Sequence, residues 1–145
     1  MAITQGMCTS FKVQLLNGAQ NFSSDTFSLA LYTSSASLGE STTAYTTSGE
    51  VASTGNYAAG GNALTVNVTP TSSGNVAYVS FANTSWANAT ITANGALIYN
   101  TTLGKSNAAV AVLAFGGDKT STDGTFAVNF PTADATSAII RLTAS

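Results

Sequence analysis

The chain has 145 residues, no histidine, one cysteine and a formal net charge of -2, with charged side chains at only 7% of positions. Such a length suits one domain with a core of its own, and the missing histidine excludes Ser/His/Asp and Cys/His hydrolases as well as Cys/His zinc sites, because each needs an imidazole. The composition also argues against a nucleic-acid-binding protein, since its four cations are scattered rather than clustered: Lys12, Lys105, Lys119 and Arg141.

The first segment is the only one with helical periodicity. Three large apolar side chains recur there at intervals of four residues: Met7, Phe11 and Leu15. Gly18 stands where a residue in the left-handed conformation commonly ends a helix. The pattern predicts one short helix near residues 5–17, with Thr4 as a plausible N-cap and an apolar stripe that covers one end of a β core.

Cys8 lies beside that stripe. It is predicted to be a small buried hydrophobic residue rather than a reactive thiol, because the chain has no histidine to activate it. The N-terminal stretch lacks the basic start and continuous apolar segment of a secretory signal. The longest apolar run, residues 108–115, is well short of the roughly 20 residues that a membrane-spanning helix needs, so no membrane partner is expected.

From about residue 26 to residue 143 the hydrophobic period switches to two. The stretches TFSLALY and ALTVNV alternate apolar and other side chains, as half-buried strands do. Further strands are predicted at VAYVSF, NATIT, GALIYN, AAVAVLAF, TFAVNF and AIIRLT. We therefore predict an all-β fold in a single domain over residues 1–145, an antiparallel β-sandwich or jelly roll with one short N-terminal helix.

The stretch from Ala108 to Pro131 is predicted to form two strands and a turn. The first strand is apolar on both faces and should be central, with the half-exposed TFAVNF as its partner. The intervening GGDKTSTDG lacks the ligand spacing of an EF-hand and is predicted to be a hairpin loop, with a weak metal site as the less favoured alternative. Turn formation also explains the other carboxylates considered, so no catalytic, cofactor or metal residue is predicted among Glu40, Glu50, Asp118, Asp123 and Asp134.

Residues 36–61 are rich in Ser, Thr, Ala and Gly and are predicted to form a long surface loop, the best candidate for a functional one. Tyr45 and Tyr57 are its only large side chains, and they either contact a partner or pack onto the sheet. Trp86 either stacks on a sugar ring or is a structural tryptophan at the start of a strand. These three residues are the candidate interface, although packing is the commoner role for each.

Several longer blocks carry a resemblance to a known family: MAITQGMCTSFKVQLLNGAQNF, FSLALYTSSASLG, TTAYTTSGEV, GALIYNTT, AVAVLAFGGDKT and FPTADATSAIIRL. Over nearly its whole length the chain resembles small structural proteins of tailed bacteriophages, common among phages of cyanobacteria and other aquatic bacteria. The resemblance implies no catalytic residues and no cofactor. It implies a virion protein that is made in the host cytoplasm.

Some small β-sandwich phage proteins of this kind are capsid decoration or cement proteins, and others belong to tails. The first role implies a dimer or trimer on the outer surface of the capsid that bridges subunits of the major capsid protein. The alternative is a tail or fibre component that binds host glycans through Tyr45, Tyr57 and Trp86. An enzyme is the third hypothesis, which the missing histidine and the absence of catalytic motifs disfavour.

Overall fold

A computed structural model describes residues 2–143, which form eight strands and one helix. In chain order these elements are β1 (Gly6–Met7), α1 (Thr9–Leu16), β2 (Phe27–Tyr32), β3 (Asn62–Leu64), β4 (Val66–Ser73), β5 (Val76–Phe81), β6 (Thr84–Asn100), β7 (Ala109–Val128) and β8 (Ile140–Leu142). The all-β fold with one short helix near the N-terminus is therefore confirmed.

The strands form two antiparallel sheets, as a sandwich requires. The larger sheet has the order β1-β7-β6-β2-β3 and the smaller sheet the order β4-β5-β8. Aromatic side chains join the sheets: Phe27 on β2 meets Phe81 on β5 edge to face, with ring centroids 5.8 Å apart. Phe22, from the segment before β2, stacks on Phe27 at 4.8 Å. The core thus lies between the two sheets and is closed at one end by the segment that follows α1.

β2 is buried along its whole length, and not only at its alternate apolar residues. The loop of residues 33–61, which joins β2 to β3, covers the face of β2 that the sequence pattern left exposed. The hydroxyl of Tyr32 donates to the Thr46 carbonyl at 2.6 Å, and the backbone N–H of Leu31 donates to the hydroxyl of Tyr57 at 2.9 Å. The predicted long loop is therefore present, but much of it covers β2 instead of extending into solvent.

β6 and β7 form one long hairpin, in which NATIT and GALIYN belong to the same strand. The strand predicted to be central at residues 108–115 begins at Ala109 as β7, and it lies inside the sheet, between β1 and β6. Its predicted partner was wrong, because TFAVNF continues the same strand and contributes residues 126–128 to pairing with residues 84–86 of β6.

The prediction of a hairpin loop at GGDKTSTDG was also wrong, because this segment lies inside β7. Thr120 pairs with Thr92 of β6 in a continuing ladder. Gly116 and Gly117 have positive φ angles of 77° and 152°, and Asp123 has a φ of 45°. Such residues bend a strand and disturb its register without reversing it, which turn propensity alone cannot distinguish from a hairpin.

The predicted single strand ALTVNV divides at Thr65. β3 pairs with β2 in the larger sheet, whereas β4 pairs with β5 in the smaller one, so the chain changes sheets across one residue. Gly61 leads into this corner with a φ of +76°, and a Cβ atom there would lie 1.8 Å from the carbonyl oxygen of Leu29. Only glycine fits so close to the neighbouring backbone.

The helix begins at Thr9, later than the predicted start near residue 5. Cys8 is its N-cap and makes no side-chain capping bond, so the prediction that Thr4 caps the helix was wrong. The residues before it are used by the larger sheet instead. β1 pairs with β7, and the backbone N–H of Thr4 donates to the Leu38 carbonyl at 2.9 Å.

The helix ends as the sequence predicts. Gly18 has a φ of 77°, and its N–H donates to the carbonyl of Leu15, in the manner of a left-handed residue that closes a helix. Of the predicted apolar stripe, Phe11 is fully buried, while Met7 and Leu15 are partly buried against the core. The stripe thus covers the core as expected, although Met7 does so from β1.

Candidate functional site

The three aromatic residues considered as contacts pack into the fold. The side chains of Tyr57 and Trp86 are only 2% and 4% exposed, and their rings lie 5.5 Å apart. Tyr45 is partly buried and stacks on Tyr99 with ring centroids 4.7 Å apart. Tyr57 and Trp86 therefore offer no exposed ring to a partner in this structure, and Trp86 lies near the start of β6 as a structural tryptophan.

Glu50 binds the two tyrosines of the loop, Tyr45 and Tyr57. Its carboxylate accepts hydrogen bonds from the hydroxyl of Tyr45 at 2.6 Å, from the hydroxyl of Tyr57 at 2.8 Å and from the backbone N–H of Gly60 at 2.6 Å. Sequence reasoning grouped Glu50 with the turn carboxylates and missed this role. The available signal was an acidic residue between two tyrosines of one loop, in a chain with only six carboxylates.

The tyrosines around Glu50 act as neutral donors. Burial raises the pKa of Tyr57 above its usual value, and the hydrogen bond from its hydroxyl to Glu50 raises it further. Burial and the bond to Glu50 raise the pKa of Tyr45 in the same way. Both hydroxyls therefore stay protonated at neutral pH, which suits the anchoring of a loop rather than proton transfer.

A second carboxylate, Asp25, holds another loop. Its Oδ2 accepts hydrogen bonds from the side-chain amide of Asn100 at 2.8 Å and the backbone N–H of Asn21 at 2.9 Å, and it lies 3.5 Å from the ammonium of Lys105. Burial opposes ionisation, but these bonds and the nearby cation outweigh it and hold the pKa of Asp25 below its usual value. The sequence signal was weak: one aspartate shortly before a buried strand.

The loop between β6 and β7, residues 101–108, presents an exposed leucine. The side chain of Leu103 is 100% exposed. The ammonium of Lys105 donates to the carbonyl of Ala19, and the backbone N–H of Thr26 donates to the hydroxyl of Thr102 at 2.8 Å. The loop is thus fixed at both sides of its apolar tip.

The outer face of α1 also presents large apolar side chains to solvent. Val13 and Leu16 are 57% and 89% exposed. At 100° per residue both point away from Phe11, so the sequence contained this signal: the helix is apolar on more than one side. Lys12 beside them pairs with Glu40 at 3.3 Å, which leaves this face close to neutral.

A groove of about 310 Å³ opens between the segment after α1 and the smaller sheet. Its apolar lining residues are Leu15, Phe22, Pro70, Ala77, Val79, Ile140 and Leu142. Of the described residues that line it, none carries a charge. The groove is therefore an apolar recess in a surface that is otherwise mostly Ser, Thr and Asn.

Within residues 2–143, no three acidic or cysteine side chains come together where a metal ion would be held. The carboxylate of Asp118 accepts a hydrogen bond from the amide of Asn94 at 2.9 Å. The lone cysteine, Cys8, is buried, as predicted. None of the described helices is long and apolar enough to cross a membrane.

The exposed apolar residues of α1, the tip of the loop 101–108 and the groove are the features of this surface that fit a protein contact. The chain was also compared with known proteins, and no protein-family model, curated protein or solved structure matches it.

Proposed function

We propose that the chain is a non-enzymatic structural protein of a bacteriophage particle, a decoration or cement protein that binds the outer surface of the capsid. It bridges neighbouring subunits of the major capsid protein and strengthens the head. The proposal rests on the resemblance in sequence to small phage structural proteins. It is supported by a β-sandwich with charged side chains at only 7% of positions.

The structural observation that best supports the proposal is the outer face of α1. Val13 and Leu16 expose most of their side chains there, next to a Lys12 that is already paired with Glu40. Burial of apolar surface against a capsid subunit favours binding without need of charge. Contacts of this kind should persist at high salt, because screening acts on exposed charges.

The alternative, a tail or fibre component that binds host glycans, has less support. Sugar binding by stacking needs an exposed aromatic face, and Tyr57 and Trp86 are buried. Tyr45 is partly buried and already stacked on Tyr99. The experiment below distinguishes glycan binding at the tail from binding to the capsid.

The test is a count of copies per particle, by quantitative mass spectrometry of purified virions that contain the chain. We expect numbers comparable with the major capsid protein, retained in high salt, and heads without the protein should rupture at lower temperature. A few copies per particle, or location at the tail tip by electron microscopy, would contradict the proposal and favour glycan binding.

Variants sharpen the test on α1. Val13→Ser with Leu16→Ser should abolish binding to heads that lack the protein while leaving the circular dichroism spectrum unchanged. The matched control, Val13→Ile with Leu16→Met, keeps the apolar face and should bind as the unaltered protein does. Equal binding of the serine variant would show that another surface contacts the capsid.

A further inference from the structure

The chain carries both an exposed apolar side chain on a fixed loop and an open apolar groove. Leu103 is fully exposed at the tip of the loop 101–108. The groove lies on the other side of the segment 18–23, whose Gly18, Phe22 and neighbours form part of its lining. Because the side chain of Leu103 is in solvent, it does not fill the groove of its own molecule.

The loop is held by contacts within the single chain. Lys105 reaches the carbonyl of Ala19 and the carboxylate of Asp25, and Thr102 is fixed by the backbone of Thr26. A loop whose backbone is held in one position loses less conformational entropy on binding than a flexible loop. Leu103 is therefore suited to insert into a recess as a single anchor residue.

The groove matches such an anchor in size and polarity. Its floor includes Val79 and Ile140, which are buried, and Leu142 at its rim is partly exposed. An apolar cavity of about 150 Å³ is enough to bind benzene, so a groove of about 310 Å³ admits a leucine side chain. The groove lining is uncharged, and Lys105 beside the loop tip is paired with Asp25, so two copies would meet without charge repulsion.

We propose that Leu103 of one copy inserts into the groove of a second copy of this chain, and that this contact assembles the protein into a closed oligomer. Each copy offers one leucine and one groove. In a closed assembly the contact is either exchanged across a two-fold axis or repeated around a ring.

The assembly deepens the proposed function, and its biological role rests on that function. An oligomer that touches several capsid subunits raises the effective concentration of each further contact, so weak single contacts hold together. The self-contact itself is a property of the purified protein. It can therefore be tested without a particle.

The first experiment measures molar mass by sedimentation equilibrium over a range of protein concentrations. We expect a dimer or trimer, and Leu103→Ser or Ala77→Lys should raise its dissociation constant at least tenfold. Both sites are exposed, so each variant should fold, which circular dichroism checks. Leu16→Ser is the control, because Leu16 is also largely exposed, at 89%, but does not line the groove, and it should leave the oligomer unchanged.

The second experiment traps the contact as a disulfide between two single-site variants, Leu103→Cys and Ala77→Cys. Mixed and oxidised, they should give a covalent dimer that contains one copy of each. Cys8 is buried and should not compete. A monomeric unaltered protein, an oligomer insensitive to both substitutions, or no mixed disulfide overturns the proposal.

The outcomes separate this contact from the capsid role. A monomer in solution that still occurs in hundreds of copies per particle overturns the self-contact alone. An oligomer broken by Leu103→Ser, but present in few copies per particle, overturns the capsid proposal alone.

Discussion

Two loops of this protein are each held by a carboxylate, but one loop buries its large side chains while the other exposes a leucine. Glu50 binds two tyrosine hydroxyls and draws the loop 33–61 onto β2, with its aromatic rings inside. Asp25 binds Asn100 and Lys105 and supports the loop 101–108, whose Leu103 points into solvent. In a chain with so few charges, the partly buried carboxylates fix loops. A loop that buries its large side chains contributes to stability, whereas a loop that exposes one is available to contact another protein.

The largest effect is expected from Glu50→Ala. The substitution leaves the buried hydroxyl of Tyr57 and the N–H of Gly60 without their acceptor, and each unsatisfied buried donor costs about 1–3 kcal/mol. We expect a loss of about 3 kcal/mol in the free energy of unfolding, measured by urea denaturation. Glu50→Gln keeps one acceptor oxygen and should lose less. An unchanged midpoint for Glu50→Ala would mean that the loop does not depend on this carboxylate.

The sequence predicted the kinds of element better than their extent. Period-two alternation identified strands because the pleat forces it, and Gly18 marked the end of the helix because its φ is positive. The hairpin predicted at GGDKTSTDG failed because Gly116 and Gly117 serve equally well in a bulge. The long-range pairing of residues 91–93 with residues 119–121 distinguishes the two.

The candidate site was less predictable than the fold. The burial of Tyr57 depends on Glu50 and on the edge of β2, which no local pattern encodes. Asp25 and Lys105 are 80 residues apart, and only the fold brings them together. In contrast, the exposed face of α1 could have been found by plotting Val13 and Leu16 on a helical wheel.

A smaller effect is expected from Asp25→Asn at the second loop. Asn100 and Lys105 would lose their charged acceptor, which costs about 2 kcal/mol at neutral pH, because hydrogen bonds to charged groups are worth about 1.5–3 kcal/mol. Chemical denaturation at pH 7 measures the difference. A variant as stable as the unaltered protein would show that burial of the carboxylate cancels its bonds.

The same pair of proteins gives a pH test. The folded pKa of Asp25 lies below the ordinary value of about 3.9, so the unfolded state binds the proton first as pH falls. The stability that Asp25 contributes is therefore complete above about pH 5 and lost as pH falls through the folded pKa. The stability gap to Asp25→Asn should be constant from pH 5 to 7 and shrink below pH 4. A gap that widens in acid would contradict the assigned direction.

The rate of thiol labelling at Cys8 can show whether the loop 33–61 opens independently of the loop 101–108. Its thiol lies under the loop 33–61, 3.9 Å from the carbonyl of Gly39, and burial raises its pKa to about 11. Relative to an ordinary thiol, this lowers the thiolate fraction at pH 8 about a hundredfold. Thiol labelling of the folded protein should be slow, faster in Glu50→Ala and unchanged in Asp25→Asn. Equal acceleration in both variants would mean that the two loops open together.

The smallest effect on stability is expected from Leu103→Ser. The side chain is fully exposed in the single chain, so its removal should change the free energy of unfolding by no more than about 0.5 kcal/mol, the usual range for surface substitutions. Measured at concentrations where the protein is monomeric, the midpoint should equal that of the unaltered chain. At higher concentrations the unaltered protein should gain stability from association while the variant does not, because binding of a partner stabilises only the folded state. A difference in stability between the two proteins that grows with concentration would show that Leu103 acts in association. An equal loss of stability at all concentrations would show that Leu103 contributes to folding.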